Sequence, residues 1–557
     1  MTDALPMTTR LDRMPEWQSL NAHARAVADR RIGVMFRDDP GRFGRFSGEA
    51  AGIFLDYSKH NIDSATLELL LALARASDVE GWRERQFRGK RINVAEDRAA
   101  LHTALRSDGD GGRVHAPGPV REEVAEVLGR IGTLAEAIRS GQWRGHTGKP
   151  VRTVVNIGIG GSHLGPALVC RALSRHDRDG PEIRFLSNVD SGHFDEITRD
   201  LDPEATLFVL ASKTFSTQET LANAESARQW LGLRPGRDPG AENHFIAVTG
   251  HHERALAFGI VPENIYPLPD WVGGRFSLWS AIGISIAIGI GMEGFRALLR
   301  GARAMDEHFL AAPLERNLPV LMAMTGIWCR NFLGTSSLAV VPYTQGLELL
   351  PAFLQQMEME SNGKRVTRKG EEVAWETCPV IWGAVGTNGQ HTFFQHLHQG
   401  VETIPVDFIV VKEGADGQDG TQRKLVANAV AQSAALMAGR DEEIVRQHLS
   451  GAGLTVDQID RQAPHRTYPG NRPSSTIVLE RLTPESLGAL IALYEHKVFV
   501  QGVVWQVCSF DQWGVELGKE LAVAVDRLFT GDAAGPEIDG STRGLVALLG
   551  SGVETAS

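Results

Sequence analysis

The chain is short of cysteine, of positive charge and of long apolar runs, and each shortage excludes something. Its four cysteines, Cys170, Cys329, Cys378 and Cys508, lie far apart in 557 residues and show no metal-ligand spacing. They read as reduced core residues rather than a disulfide framework or a zinc site. Lys and Arg number 57 against 68 Asp and Glu, a net charge of -11. That balance favours solubility and argues against broad binding to nucleic acid or an anionic membrane. It leaves room for a small anionic substrate, because a pocket can be locally basic. The uncharged, largely apolar run from Phe276 to Met292 has 17 residues interrupted by serine and glycine, whereas a membrane span takes about 20 apolar residues. A buried helix is expected there. The opening stretch "MTDALPMTTRLDRMPEW" carries acidic residues and no apolar core, so a secretory signal is not expected, and a cytoplasmic location is.

What is present is ordinary for a globular chain: 42% hydrophobic and 22% charged residues, with length enough for two or more domains. Residues 1–118 read as mainly helical. Leu67, Leu70, Leu71 and Ala74 share one helical stripe, with Asp63 or Ser64 as the cap. The Gly/Pro/Asp-rich stretch 106–120 reads as a boundary loop. From there apolar strands alternate with helical stretches. Strands are expected at 151–159, 182–189, 205–212 and 244–250, and again at 337–343, 379–386, 405–413 and 472–482. Near-continuous apolar strands separated by helices imply mostly parallel sheets covered on both faces. The expected division is a helical segment 1–118, α/β domains at 119–290 and 291–515, and a helical tail 516–557.

Several stretches could carry chemistry. "NIGIGGSHLGP" (156–166) follows a strand, but a dinucleotide fingerprint started at Gly158 needs glycine where His163 stands. Two readings remain: glycines for close packing, or a tight turn whose amides, with the Ser162 hydroxyl, face an anion. "ASKTFSTQET" (211–220) gathers Ser212, Lys213, Thr214, Ser216 and Thr217 where a strand hands over to a helix. Amides, hydroxyls and one cation suit a phosphate, although a plain helix cap accounts for part of the group. Arg275 in "DWVGGRFSLW" is either a solvent-facing flank or a cation beside a buried site, where it could stabilise an oxyanion. "QQMEMESNGK" (355–364) holds Glu358 and Glu360. On a helix of about 100° per residue they point about 160° apart, and Gln356 shares the face of Glu360. Periodicity alone does not choose between the two glutamates. "GTNGQHTFFQHLHQG" (386–400) has no zinc-type spacing. His391, after small loop residues, is placed like an active-site group, and His396 and His398 like packing or surface residues.

Together these stretches, with "DWVGGRFSLWSAIG" (270–283) and "CSFDQWGVELGK" (508–519), resemble the glucose-6-phosphate isomerase (phosphoglucose isomerase) family over nearly the whole chain. The resemblance implies two α/β/α sandwich domains of the sugar-isomerase (SIS) type in a homodimer whose active sites draw on both subunits. It implies reversible conversion of D-glucose 6-phosphate to D-fructose 6-phosphate through a cis-enediol, without metal, nucleotide or other cofactor. Matched motif by motif, the base falls on Glu360, with Glu358 its solvent-side neighbour. The phosphate contacts fall on Ser212, Lys213, Thr214 and Thr217, and the glycine turn on Gly161 and Ser162. The charge-stabilising arginine is Arg275. Ring opening falls to His391, arriving from the partner subunit, and to Lys519, with Gln356 and Gln512 lining the pocket. His163 stands where many members carry aspartate. A sugar-phosphate sensor on the same fold would lack the Glu/His/Lys set, and a dehydrogenase would need the glycine fingerprint that fails here.

Overall fold

Eight expected strands form where the apolar runs lie. The computed structural model describes residues 9–107, 118–176, 179–234, 236–414, 419–530 and 538–550, and backbone contacts divide it into two units, 1–509 and 510–557. The first unit holds two sheets. Strands β1 (Ser47–Ala50) and β2 (Ile53–Lys59) come first, then β3 (Thr153–Ile157), β4 (Glu182–Leu186), β5 (Thr206–Ala211), β6 (Phe245–Thr249) and β7 (Ile265–Pro267). They are followed by β8 (Ser337–Tyr343), β9 (Val380–Trp382), β10 (Val406–Val411) and β11 (Ser474–Leu479). One sheet is ordered β4-β3-β5-β6-β7 and is parallel throughout. The other is ordered β1-β2-β11-β10-β8-β9, parallel from β11 to β9 and antiparallel at the β1–β2 edge.

The β1–β2 hairpin was not expected in a segment read as helical. Its turn, Ala51-Gly52, has φ of 50° and 73°, the positive pair that a two-residue hairpin needs. Alanine in place of the usual Asn or Asp hides that signal. Elsewhere in this segment helices do form, and Asp63 rather than Ser64 is the cap, accepting a bond from the Thr66 amide. The expected boundary loop fares differently. Residues 108–117 lie outside the described residues, while Arg106 ends a 3-10 turn, His102–Arg106, and is fully buried. Its guanidinium donates to Asp306 at 2.6 and 2.5 Å and to Glu495 at 2.6 Å. Burial alone would lower its pKa, but the two carboxylates overcome this and raise it.

The 17-residue run from Phe276 is buried, though not as one helix. Turns at Gly274–Phe276 and Ala281–Gly283 precede helix Ile284–Ala311, which breaks at Gly291 (φ 76°). That helix and Pro484–Val504 are both long and apolar enough to span a membrane, but 72% and 100% of their apolar windows are buried inside the protein. They lie against each other at glycines: a Cβ on Gly488 would stand 2.0 Å from the Leu298 carbonyl oxygen, and one on Gly301 1.9 Å from that of Glu485. Only glycine permits this approach. The mixed apolar faces of 484–504 thus reflect burial on all sides.

In the first sheet, Val155, Phe208 and Phe245 pack under helix Gln218–Leu231 through Ala224, Ala227 and Leu231. In the second, Val341, Phe408 and Val410 pack with Phe394 and Leu436. The second unit, described by itself, contains the amphipathic helix Glu516–Phe529 and helix Gly540–Gly550.

Candidate active site

Neighbouring strand ends build the site. β3 and β5 pair with Ile157 beside Leu210, so the turns that follow them open at the same edge of the sheet. Ligands of open parallel sheets bind outside these carboxyl ends. In the first turn a Cβ on Gly161 would lie 2.0 Å from the carbonyl oxygen of Gly274 and 2.7 Å from the Arg275 nitrogen. The glycine is required by a backbone crossing, and the segment that crosses is the one carrying Arg275. Close packing and site building are therefore one function here. Ser162 sits at the end of the 3-10 turn Gly160–Ser162, and its carbonyl accepts a bond from Asn156 at 3.0 Å. Burial lowers the pKa of the adjoining His163, with His193 adding to the effect.

In the second turn the hydroxyls of buried Ser212 and of Thr217 share a 3.0 Å hydrogen bond. Thr217 is the N-cap of Gln218–Leu231, yet its side chain makes no capping bond. Ser216 donates to the hydroxyl of exposed Thr214 at 2.9 Å. Lys213 behaves otherwise than a cation held out for phosphate. Its Nζ donates to the carbonyls of Asp270 and Val272, both at 3.0 Å. Burial lowers its pKa, against the opposing pull of Asp270. Lys213 thereby ties the hydroxyl-rich turn to the strap that leads into Arg275.

Arg275 is no solvent-facing flank. It is 2% exposed, and its Nε and Nη2 donate to Ser361 Oγ and to the Ser509 carbonyl, each at 2.6 Å. Its Nη1 lies 3.5 Å from Glu360 Oε2. The Glu360 side chain keeps 20% exposure, enough for a small molecule to reach it.

The two glutamates lie where the helix changes type. Helix Leu350–Leu354 runs into a π-helical turn, Gln355–Glu360, wider than the α-helical wheel and of a kind often found at functional sites. The expected solvent-side position of Glu358 is overturned. Glu358 is fully buried and ion-paired with Lys497 of helix Pro484–Val504. Gln356 does lie toward the site: a Cβ on Gly160 would come within 3.0 Å of its Nε2, while its buried Oε1 finds no hydrogen-bond partner among the described residues.

The structure thus brings together Gly161, Ser162, Arg275, Gln356 and Glu360, with the Ser212–Thr217 turn joined to them through Lys213. It does not bring His391 into the group. That residue ends the 3-10 turn Asn388–His391 and is exposed, and among the described residues it makes no hydrogen bond or ion pair with Glu360 or Arg275. His396 is exposed, and His398 bonds Gln432 at 2.9 Å. Gln512 and Lys519 belong to the second unit. Gln512 precedes the 3-10 turn Trp513–Val515, and exposed Lys519 pairs with Glu516 at 2.9 Å. Ser361, Ser509 and Lys497 escaped the sequence reading. Only the position of Ser361 next to Glu360 hinted at a role. Among the described residues, no three His, Cys, Asp or Glu groups stand where they could hold a metal ion.

Comparison with known proteins covers the whole arrangement. The family model described as "Phosphoglucose isomerase" matches residues 56–546. A glucose-6-phosphate isomerase 1 of Thiobacillus denitrificans is 48% identical over 538 residues, covering 96% of this chain and 98% of the relative. A glucose-6-phosphate isomerase of Deinococcus deserti is 49% identical over 551 residues, covering 97% and 99%. Among solved structures, a glucose-6-phosphate isomerase from Chlamydia trachomatis superposes with a TM-score of 0.82 at 33% identity, over 98% of this chain and 100% of that one.

Proposed function

The chain belongs to the phosphoglucose isomerase family, and on that premise we propose how its residues interconvert D-glucose 6-phosphate and D-fructose 6-phosphate. The observation that carries the reading is the Arg275–Glu360 pair, with Nη1 and Oε2 3.5 Å apart at the rim of a buried cluster. A carboxylate beside a fixed guanidinium is what an enediol route requires. Glu360 takes the proton from C2 of the open aldose, leaving a cis-enediol, and returns it to C1, while a second proton passes between the C1 and C2 oxygens. Arg275 balances the negative charge that grows on those oxygens and, as a guanidinium, keeps its own proton.

The phosphate sits against Ser212, Thr214, Thr217 and the start of helix Gln218–Leu231, near the Gly161–Ser162 turn. A helix start favours an anion, and the hydroxyls supply donors. Binding there, away from the reacting carbons, provides orientation. His391 and Lys519 open the sugar ring by moving a proton between the C1 hydroxyl and the ring oxygen, with Gln356 and Gln512 lining the pocket. The exposure of His391 on its own chain fits delivery to the site of a second subunit. The apolar residues exposed on the C-terminal unit, Trp513, Leu517, Leu521, Leu545 and Leu549, fit a homodimer. Family membership further supports SIS-type domains at 119–290 and 291–515, with the Ser47–Lys59 hairpin added to the second, a cytoplasmic location and a reaction that needs no cofactor.

A coupled assay tests the reading: fructose 6-phosphate is supplied, glucose 6-phosphate is detected, and EDTA is present throughout. Turnover that survives EDTA and is lost in E360Q is the expected result. Activity that disappears with EDTA, or an E360Q enzyme as fast as the wild type, overturns it.

A further inference from the structure

We propose that Ser361 is a positioning residue for the isomerisation, holding the guanidinium of Arg275 in the plane that aims Nη1 at Glu360. The inference rests on the role given to Arg275 above and adds what keeps that side chain in place. A guanidinium is a planar fork, and its anchors set its orientation; two of those of Arg275 lie close to the site. One is Ser361 Oγ, 2.6 Å from Nε, and the other is the Ser509 carbonyl, 2.6 Å from Nη2. Neither anchor is loose. Ser509 Oγ donates to Asn362 Oδ1 at 2.7 Å, and Asn362 Nδ2 donates to the Val498 carbonyl at 2.9 Å. Ser361 and Asn362 are wholly buried. A Cβ on Gly502 would stand 1.8 Å from Ser509 Oγ and 2.8 Å from Asn362 Oδ1, so the helix gives up a side chain where this chain of bonds passes.

Ser361 also directly follows Glu360. One residue therefore fixes the peptide that carries the carboxylate and the guanidinium that the carboxylate faces. Without its hydroxyl, Nε loses this buried bond, and one restraint on the plane of the fork is removed. Groups that orient an active residue in this way are typically worth about 10–100-fold in activity, acting on the geometry of the reaction rather than on binding of a distant phosphate.

The test is a double-mutant cycle between S361A and R275K, read as kcat and KM for fructose 6-phosphate and as competition by inorganic phosphate. Lysine has no Nε, so in R275K there is nothing for Ser361 to aim. Alone, S361A is expected to lower kcat about 10–100-fold, with KM and the inhibition constant of phosphate within about threefold of wild type. In the R275K background it is expected to cost less than about twofold, the signature of residues acting as one unit. Where turnover falls below the coupled assay, exchange of the C2 hydrogen in D2O over days supplies the rate. S361C, of nearly the same size, stands in if thermal unfolding shows S361A to be misfolded. An equal loss in both backgrounds, or a loss confined to KM, overturns the positioning role. Wild-type kcat in R275K overturns instead the reading of Arg275 itself, so the two failures are distinguishable.

Discussion

Lys497 and Glu358 form an ion pair inside the protein, with side-chain exposures of 2% and 0%. Asp407 is close enough to feel both charges and accepts a bond from Tyr494 at 3.1 Å; burial pushes its pKa up to about 6. The pair joins helix Pro484–Val504 to the π-helical turn that carries Glu360, so it holds the register of that turn. E358Q leaves the ammonium buried without its partner, and breaking such a pair costs about 3–5 kcal/mol. We expect a clear loss of stability in chemical denaturation, partly recovered when K497M is added. E358Q as stable as wild type would show that the pair does not support the turn.

The neighbouring glutamate is expected to behave in the opposite way. E360Q keeps the shape and removes the proton acceptor, so kcat should fall by about 10²–10⁴-fold, the range for a positioned general base, with thermal stability unchanged. Wild type should exchange the C2 hydrogen with solvent deuterium during turnover, and E360Q should lose exchange together with isomerisation. Isomerisation by wild type without any exchange would point to a hydride shift.

The hydroxyl-rich turn and its lysine should separate binding from chemistry. With Thr214 holding the phosphate as proposed, T214V removes a contact made equally in ground and transition states, so KM is expected to rise while kcat holds. K213M also frees the 270–272 strap from its bonds at 3.0 Å, and kcat should fall along with the rise in KM. If both variants raise KM alone, the strap does not help to hold Arg275.

The proposed sharing of sites between two subunits makes a prediction for mixed subunits. E360Q and H391A homodimers should each be inactive, and verified exchange between them should restore part of the activity. No recovery in proven heterodimers means that each site is built within one chain.

Acid should destabilise the fold through histidines held neutral. Burial, aided by Arg42, lowers the pKa of His60 to about 3, and burial, aided by Arg106, lowers that of His102 well below its usual value. The unfolded chain protonates these groups near pH 6.5, so between pH 6.5 and about 3 it binds more protons than the native state. Stability is then complete above pH 6.5 and falls as pH drops, by about 1.4 kcal/mol per pH unit for each such group. H60N should make the decline shallower, as read from denaturation midpoints across pH. An unchanged slope would show that His60 is protonated in the native protein.

Local pattern alone determined much of this protein. Apolar runs marked most of the parallel strands of both sheets, because a strand covered on both faces has no polar alternation to hide it. Residues 337–343 formed a strand to the residue. The strand-end turns at Gly161 and Ser212–Thr217 were legible because tight crossings and clustered hydroxyls leave composition signals. Only tertiary structure decided what depends on contacts far apart in sequence. The β1–β2 hairpin pairs with β11, more than 400 residues later, and its Ala-Gly turn gives little local warning. Arg106 looked like loop until Asp306 and Glu495 neutralised it in the core. Glu358 and Glu360 are two residues apart and chemically identical, and a wheel of fixed pitch could not rank them. Lys497 ranked them by drawing Glu358 inward, while Arg275, held by Ser361 and Ser509, met Glu360 at the rim. A charge follows its partner, and the partners here lie on elements that only folding brings together.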